Sequence, residues 1–240
     1  MENQGDSLRH VGMTKWLSAE QWSKVKGACC AIQTHEPRSI ISQRQEKLDH
    51  SLLVISGLIG RGIPAASGGR SYMVAIQVPG DFVDLHSFPL KRLDHDVMAL
   101  SDVKLAVFKH SDIKDLVQQD AELARNLWAL TLVDASIHRH WVYRNSGMRA
   151  FANVANLIVE LHARLRAAEV AQTNTFPFPL RQEDIADACG LTSVHVNRVL
   201  RQLREDGCCE ISDGRVKVLD EDKLIRRATF EPEYLYLPER

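Results

Sequence analysis

No stretch of the chain approaches the roughly 20 apolar residues of a membrane-spanning helix, and no basic segment runs into an apolar stretch and cleavage site near Met1. Both absences lead to the expectation of a cytoplasmic protein with no membrane partner. None of the five cysteines (Cys29, Cys30, Cys189, Cys208 and Cys209) stands in a Cys-x-x-Cys spacing; their number is odd and two pairs are adjacent. This indicates neither a disulfide framework nor a cysteine-built zinc site, and reduced, half-buried thiols are expected. Charge of one sign is also missing. A formal net charge of -1 announces no polyanionic partner, although a locally basic helix is enough to bind one. With 240 residues, 45% hydrophobic and 25% charged, the chain has room for one large or two modest domains.

What is present is concentrated between Leu180 and Arg204. Helical spacing there predicts a first helix from about Gln182 to Ala188, with Ile185 and Ala186 inward and Glu183 and Asp184 in the first turn, where the helix dipole favours acids. Gly190 supplies a turn and Thr192 an N-cap. A second helix turns Val196, Val199, Leu200 and Leu203 back onto the first. Small Ala186 and Gly190 with β-branched Val196 suit two helices crossing steeply, as in a helix-turn-helix. The outward residues Ser193, His195, Asn197, Arg198 and Arg201 suit base edges and phosphates. Gly207 ends the second helix. The alternating runs Cys209-Glu210-Ile211 and Val216-Lys217-Val218 follow, joined by Ser212-Asp213-Gly214-Arg215, a strong hairpin signal. Helix-turn-helix plus hairpin predicts a winged helix with Arg215 near the wing tip, and hence binding of double-stranded DNA.

From the start of the chain, residues 1 to about 14 read as polar and loose. Leu17 to about Ile32 reads as a helix opened by a Ser18–Gln21 capping box. From about Arg38 to His110, short β-branched runs (39–41, 51–55, 72–78, 96–100 and 103–108) alternate with turn residues at Gly57, Pro64, Gly68-Gly69 and Pro79-Gly80-Asp81. They predict an all-β domain. Ser111 is expected to cap a short helix through Val117. A long helix then runs from about Asp120 to Tyr143. Along it Leu116, Asp120, Leu123, Leu127, Leu130, Asp134, Ile137 and Trp141 alternate four and three apart, a coiled-coil seam predicting a homodimer. The competing reading is a helix packed on its own β-domain. Gly147 marks a hinge, Met148 to about Val170 a second amphipathic helix, Thr173 to Pro179 a Pro-containing connection, and Phe230 to Leu237 a tail lying on one domain.

This order resembles the Crp/Fnr family of bacterial transcription regulators. The resemblance rests on Val54-Ile55-Ser56-Gly57-Leu58, on Val78-Pro79-Gly80-Asp81-Phe82-Val83, and most strongly on Gln182 to Ala186 with Gly190 to Arg198, which is close to the Fnr-like helix-turn-helix. It implies an α+β fold: a double-stranded, jelly-roll-like β-roll of the cyclic-nucleotide-binding type, a long dimerisation helix and a C-terminal winged helix-turn-helix. The corresponding divisions are 1–118, 119–145 and 146–240. It also implies a homodimer on a pseudo-palindromic promoter site, with RNA polymerase as partner.

For the family's recognition arginine it implies Arg198. Val194 replaces the usual Glu and is a candidate for a thymine methyl. Asn197 is the next candidate for a base edge, Thr192, Ser193 and Arg201 for phosphates, and His195 for either role. Dimerisation falls to Leu123, Leu127, Leu130, Asp134, Ile137 and Trp141. Where cyclic-nucleotide-binding members carry Gly-Glu and Arg-Ser or Arg-Thr, this chain has Asp84-Leu85 and His95-Asp96-Val97. Asp beside a phosphate repels it, so no cyclic AMP binding and no cofactor are expected, and the small-molecule effector stays open. Cys29-Cys30 does not supply the spaced thiolates of an iron–sulfur cluster.

Two other readings compete. In a cupin-like metal enzyme, Gly80 and His86 mimic the start of a metal motif, but Phe88 stands at the second ligand position. Asp84 and His86 sharing a strand face is what remains of it. His138 and His140, two apart on a helix, point different ways and form no clamp. A dimeric adaptor that does not bind DNA is opposed by Asn197, Arg198 and Arg201. The expectation is therefore a regulator and not an enzyme, with no metal site.

Overall fold

The computed structural model describes residues 7–66, 71–172 and 174–238; Gly68-Gly69 and Thr173 lie outside the described residues. Two antiparallel sheets form the β-roll. Strands β1 (Ala31–His35), β7 (Val103–Lys109) and β3 (His50–Ser56) make one, in that order. The other runs β2 (Ile40–Ser42), β6 (Asp96–Ala99), β4 (Ile59–Pro64) and β5 (Ser71–Gln77). Between them Leu52, Val54, Ile59, Val97, Leu105 and Val107 pack into a closed apolar core. The run Leu52-Leu53-Val54 does not alternate in polarity because both faces of β3 are covered. Leu52 and Val54 point into the roll, and Leu53 points out to a helical layer.

That layer begins with α1 (Ala19–Gly27), opened by the expected capping box between Ser18 and Gln21. The helix stops at Gly27 and not near Ile32, because the following residues pair with β7 as strand β1, Ala31 opposite Val107. Of the segment before it, residues 1–6 lie outside the described residues, and the rest is not loose. Leu8, Val11 and Met13 are buried, and a short 3-10 turn, Gly12–Trp16, presses against the Pro79-Gly80 turn. Gly80 adopts φ +91, and a Cβ there would stand 2.4 Å from the Val11 carbonyl oxygen. Only glycine fits at such a close approach.

Strand β4 escaped the sequence reading. Gly60, Gly62 and Pro64 look like turn residues, yet all three pair with β5, through a bulge between Arg61 and Gly62, and the two glycines also pair with β6. A Cβ on Gly62 would stand 2.4 Å from the Ser71 hydroxyl; here glycine marks a bulged strand. The chain after Phe82 leaves the sheet, so Asp84 and His86 do not share a strand face, and Ser87–Leu90 forms a single turn, α2.

Helix α3 (His110–Gln119) starts at Lys109, with the Ser111 hydroxyl turned to the Asp112 carboxylate instead of the helix end. Asp120 separates it from α4 (Ala121–Gly147) and caps α4 by accepting from the Leu123 amide at 2.9 Å. Leu116 therefore belongs to another helix and Asp120 to a cap. The rest of the expected dimer seam is turned inward. Leu123, Leu127, Leu130, Ile137 and Trp141 are buried against this chain's own β-roll and α5 (Ala150–Ala167), and Asp134 is ion-paired with Arg61 at 2.6 Å. Their spacing is real, but it records packing within one chain.

The C-terminal unit contains α6 (Gln182–Cys189), α7 (Ser193–Glu205), and a sheet of β8 (Thr175–Pro177), β10 (Arg215–Val218) and β9 (Cys209–Ser212). The expected connection at Thr173 to Pro179 thus contains a third strand. Phe176 from it and Phe178 just after it fill the space beneath the wing. Helix α8 (Glu221–Ala228), which the sequence reading did not anticipate, packs on α5. The tail folds back as expected: Leu235 is fully buried, and Tyr234 stacks on His140 with ring centroids 3.6 Å apart.

Candidate nucleic-acid interface

Gly190 ends α6 at φ +61, and the Leu191 amide donates back to the Ala186 carbonyl. The Thr192 hydroxyl then caps α7 by accepting from the His195 amide at 3.3 Å. These two devices fix the crossing of the helices. Ile185, Ala186, Val196, Val199 and Leu203 are buried between them, with Leu200 half-buried at the edge.

The opposite surface of α7 is open. Ser193, Val194, Asn197, Arg198 and Arg201 fall within about 140° of the helix circumference at 100° per residue, and all five are exposed. Val194 is 79% exposed in the first turn, an apolar methyl pair presented to solvent among polar neighbours. His195 sits on the shoulder, its Nδ1 3.1 Å from the Thr192 hydroxyl, so it braces the cap. Asn197 and Arg201 also line a shallow cleft with Gln182, Arg204 and Ile211 that leads towards the wing.

In the wing, Asp213 and Gly214 both take positive φ (50 and 68), the signature of a tight I′ hairpin. Arg215 emerges exposed directly after that turn. The structure therefore gathers Ser193, Val194, Asn197, Arg198 and Arg201 on one helix face, with Thr192 at the cap of that helix and Arg215 on the adjoining hairpin. The cysteines nearby are inert. Burial pushes the Cys189 thiol up to about 11 and the Cys209 thiol up to about 12, so neither ionises at neutral pH.

Three ionic links tie this reading head to the rest of the chain. Arg38 grips Asp184 of α6 through two bonds of 2.7 Å, and the same carboxylate accepts from the Arg181 amide that opens α6. Arg164 of α5 reaches Asp81 of the Pro79-Gly80-Asp81 turn at 2.6 Å. Fully buried Glu160 gathers Trp141, Arg144, Arg164 and Tyr234. None of these pairs was read from the sequence: apart from Glu160 and Arg164, four positions apart, the partners lie 16 to 146 positions apart and no local pattern announces them.

Inside the roll, Asp84 is fully buried and accepts from the Leu52 amide at 2.7 Å. One carboxylate oxygen serves the backbone, and the other, Oδ2, is buried without a hydrogen-bond partner among the described residues. The buried Arg61 guanidinium donates to the Val83 carbonyl and to Asp134 of α4. This chain's own charge pair thus bridges the roll and the helix.

Known proteins share this arrangement. Residues 153–227 match the Crp-like helix-turn-helix domain. The chain is 27% identical over 187 residues to the transcriptional activator protein FnrL of Cereibacter sphaeroides, covering 76% of this chain and 74% of that one. It is 22% identical over 226 residues to the nitrogen fixation regulation protein FixK of Azorhizobium caulinodans, covering 88% and 90%. Among solved structures, FixK2 from Bradyrhizobium japonicum superposes with a TM-score of 0.74 at 21% identity over 82% of this chain and 96% of that one. A CRP-family regulator from Thermus thermophilus gives 0.67 at 17% over 82% and 97%. Residues 153–227 carry a Crp-like helix-turn-helix domain, and the chain as a whole is similar to transcription regulators of the Crp/Fnr family.

Proposed function

We propose that the chain works as a homodimer that reads a pseudo-palindromic promoter site, each copy laying α7 in a major groove and its wing on the adjoining backbone. The observation that carries this reading is the exposed face of α7, where Val194, Asn197 and Arg198 present a methyl pair, an amide and a guanidinium side by side. Those three groups match a thymine methyl, an adenine edge and the O6/N7 edge of guanine. Ser193, Thr192, Arg201 and Arg215 then hold phosphates. FnrL is an activator by name. Activation by this chain would bring RNA polymerase as the second partner, in the cytoplasm and without an enzymatic step.

Two copies are needed to face a two-fold site, and α4 offers the surface. Ala124, Trp128, Thr131, Ala135, His138 and Val142 alternate four and three apart along α4, one residue out of step with the buried stripe. Trp128 is 63% exposed, Val142 69%, and flanking Leu132 49%. A repeat of this kind along a helix of 27 residues suits a left-handed pairing with the same helix of a second copy. Trp128→Glu with Val142→Glu should convert the dimer to a monomer in sedimentation velocity while leaving the circular dichroism of the fold intact. Affinity for a two-fold site should fall at least about 100-fold, the scale on which a second tethered contact is lost. A stable dimer carrying both substitutions would remove α4 as the pairing surface.

The deciding experiment is selection of bound sequences from a random DNA pool by the purified protein. Recovery of a two-fold-symmetric site with half-sites about 34 Å apart is expected. Recovery of an unsymmetrical sequence, or of salt-sensitive binding with no sequence preference at all, would overturn the dimeric reader.

A further inference from the structure

A cleft of about 900 Å³ opens between the β-roll and α4. It holds a set of donors that DNA reading does not use. His86 and His95 lie on its roll side with ring centroids 5.5 Å apart. One ligand atom from each of His86, Asp94 and His95 lies within 4.8 Å of the other two. His95 is only 5% exposed, and its Nε2 has no hydrogen-bond partner. A buried imidazole nitrogen without a partner is costly unless something occupies its lone pair.

The tautomer follows from the other nitrogen. Nδ1 of His95 stands 2.8 Å from the Asp94 carboxylate and donates its proton there, which leaves the lone pair on Nε2. Carboxylate-held imidazoles of this kind are how proteins orient metal-ligating histidines. Across the cleft His138 is held in the same way, its Nδ1 donating to the Asp134 carbonyl at 2.8 Å, and its ring also lines the cleft. Of the two arginines that line the cleft, Arg61 and Arg139, Arg61 is neutralised by Asp134 at 2.6 Å.

We propose that His86 and His95, the latter ligating through Nε2 and oriented by Asp94 at Nδ1, form a binding site for a borderline divalent transition-metal ion such as Zn²⁺, with His138 of α4 as a further donor from the opposite wall. Imidazole nitrogens are donors for that class and not for Ca²⁺ or Mg²⁺, which take oxygen. The sequence reading passed over the site because His86 and His95 sit nine positions apart on irregular backbone, unlike the closely spaced ligand pairs of linear metal motifs. The site shares the α4 wall of Thr131, Ala135, His138 and Val142 with the proposed pairing surface, and its test is read without DNA.

The test is titration of metal-free protein with Co²⁺ as an optical reporter and with Zn²⁺ in competition. One ion per chain is expected, with visible d–d absorption and without the intense near-ultraviolet bands of thiolate ligation. His86→Ala with His95→Ala should remove the stoichiometric site. Asp94→Ala, whose exposed side chain leaves the fold undisturbed, should weaken it about 10–100-fold. Absence of stoichiometric binding by the wild-type chain, thiolate bands, or equal binding by Asp94→Ala and the double variant would each overturn the site.

Discussion

Glu160→Leu should cost the protein about 3–5 kcal/mol of folding stability, the scale measured when one partner of a buried ion pair is removed. Glu160 is fully buried and accepts from Trp141 Nε1 at 2.9 and 3.1 Å, from the Tyr234 hydroxyl at 2.8 Å, and from Arg164 and Arg144 at 3.4 and 3.5 Å. Arg144 is itself 0% exposed, lies 4.4 Å over the Trp141 ring, and has only the Ala188 carbonyl as a further acceptor. Without the carboxylate its charge is buried with no counterpart, whereas Arg164 keeps Asp81 at 2.6 Å. Tyr234 fits the same account: burial and the adjacent carboxylate push its phenol pKa upward, so it serves as a donor at every working pH. A domain's whole stability is about 5–15 kcal/mol, so the loss should appear as a fall in the urea midpoint and a Tm lowered by about 6–20 °C. Arg144→Met added to Glu160→Leu should recover part of it, because removing both charges is far cheaper than stranding one. A single variant within 1 kcal/mol of the wild type would show that the ion pairs contribute little beyond the packing around them.

The contrast between Glu160 and the helix-turn-helix explains what the sequence could disclose. Gly190, Thr192 and Asp213-Gly214 announce themselves because each meets a local backbone demand: a left-handed helix end, a cap or a tight hairpin. The apolar stripe of α7 shows at helical spacing for the same reason. The long helix was legible as a helix but not as an interface. α4 carries two apolar stripes one residue out of step, and the leucine-rich one, Leu123, Leu127 and Leu130, faces its own β-roll while Trp128 and Val142 look outward. Spacing alone records that a face is buried; it does not record what buries it. Strand β4 was missed because Gly60, Gly62 and Pro64 carry turn chemistry, although they serve a bulged strand pressed against Leu100 and Ser71. The salt links Arg38–Asp184 and Arg164–Asp81, and the histidine pair of the cleft, depend on segments that meet only in three dimensions.

Arg198→Ala should be the most damaging single change to DNA reading. An arginine fork on the O6/N7 edge of guanine contributes about 1–3 kcal/mol of discrimination per half-site. A symmetric dimer loses it twice, about 2–6 kcal/mol, so Kd for a selected site should rise at least about thirtyfold while Kd for random DNA changes little. The base opposite Arg198 should also lose its identity in a repeated selection. Arg215→Ala gives the complementary result. A phosphate contact at the wing carries no base information, so all sequences should weaken together and the salt dependence should become shallower by about one counterion per copy. Val194→Glu tests the register of the helix. It replaces a methyl pair that is 79% exposed with a carboxylate able to accept from a cytosine amino group, and the selected half-site should gain a cytosine where the wild type takes thymine. If Arg198→Ala and Arg215→Ala lowered affinity for selected and random DNA equally, neither side chain would be reading bases. The exposed face of α7 would then be a phosphate-binding surface, and sequence preference would have to come from DNA shape.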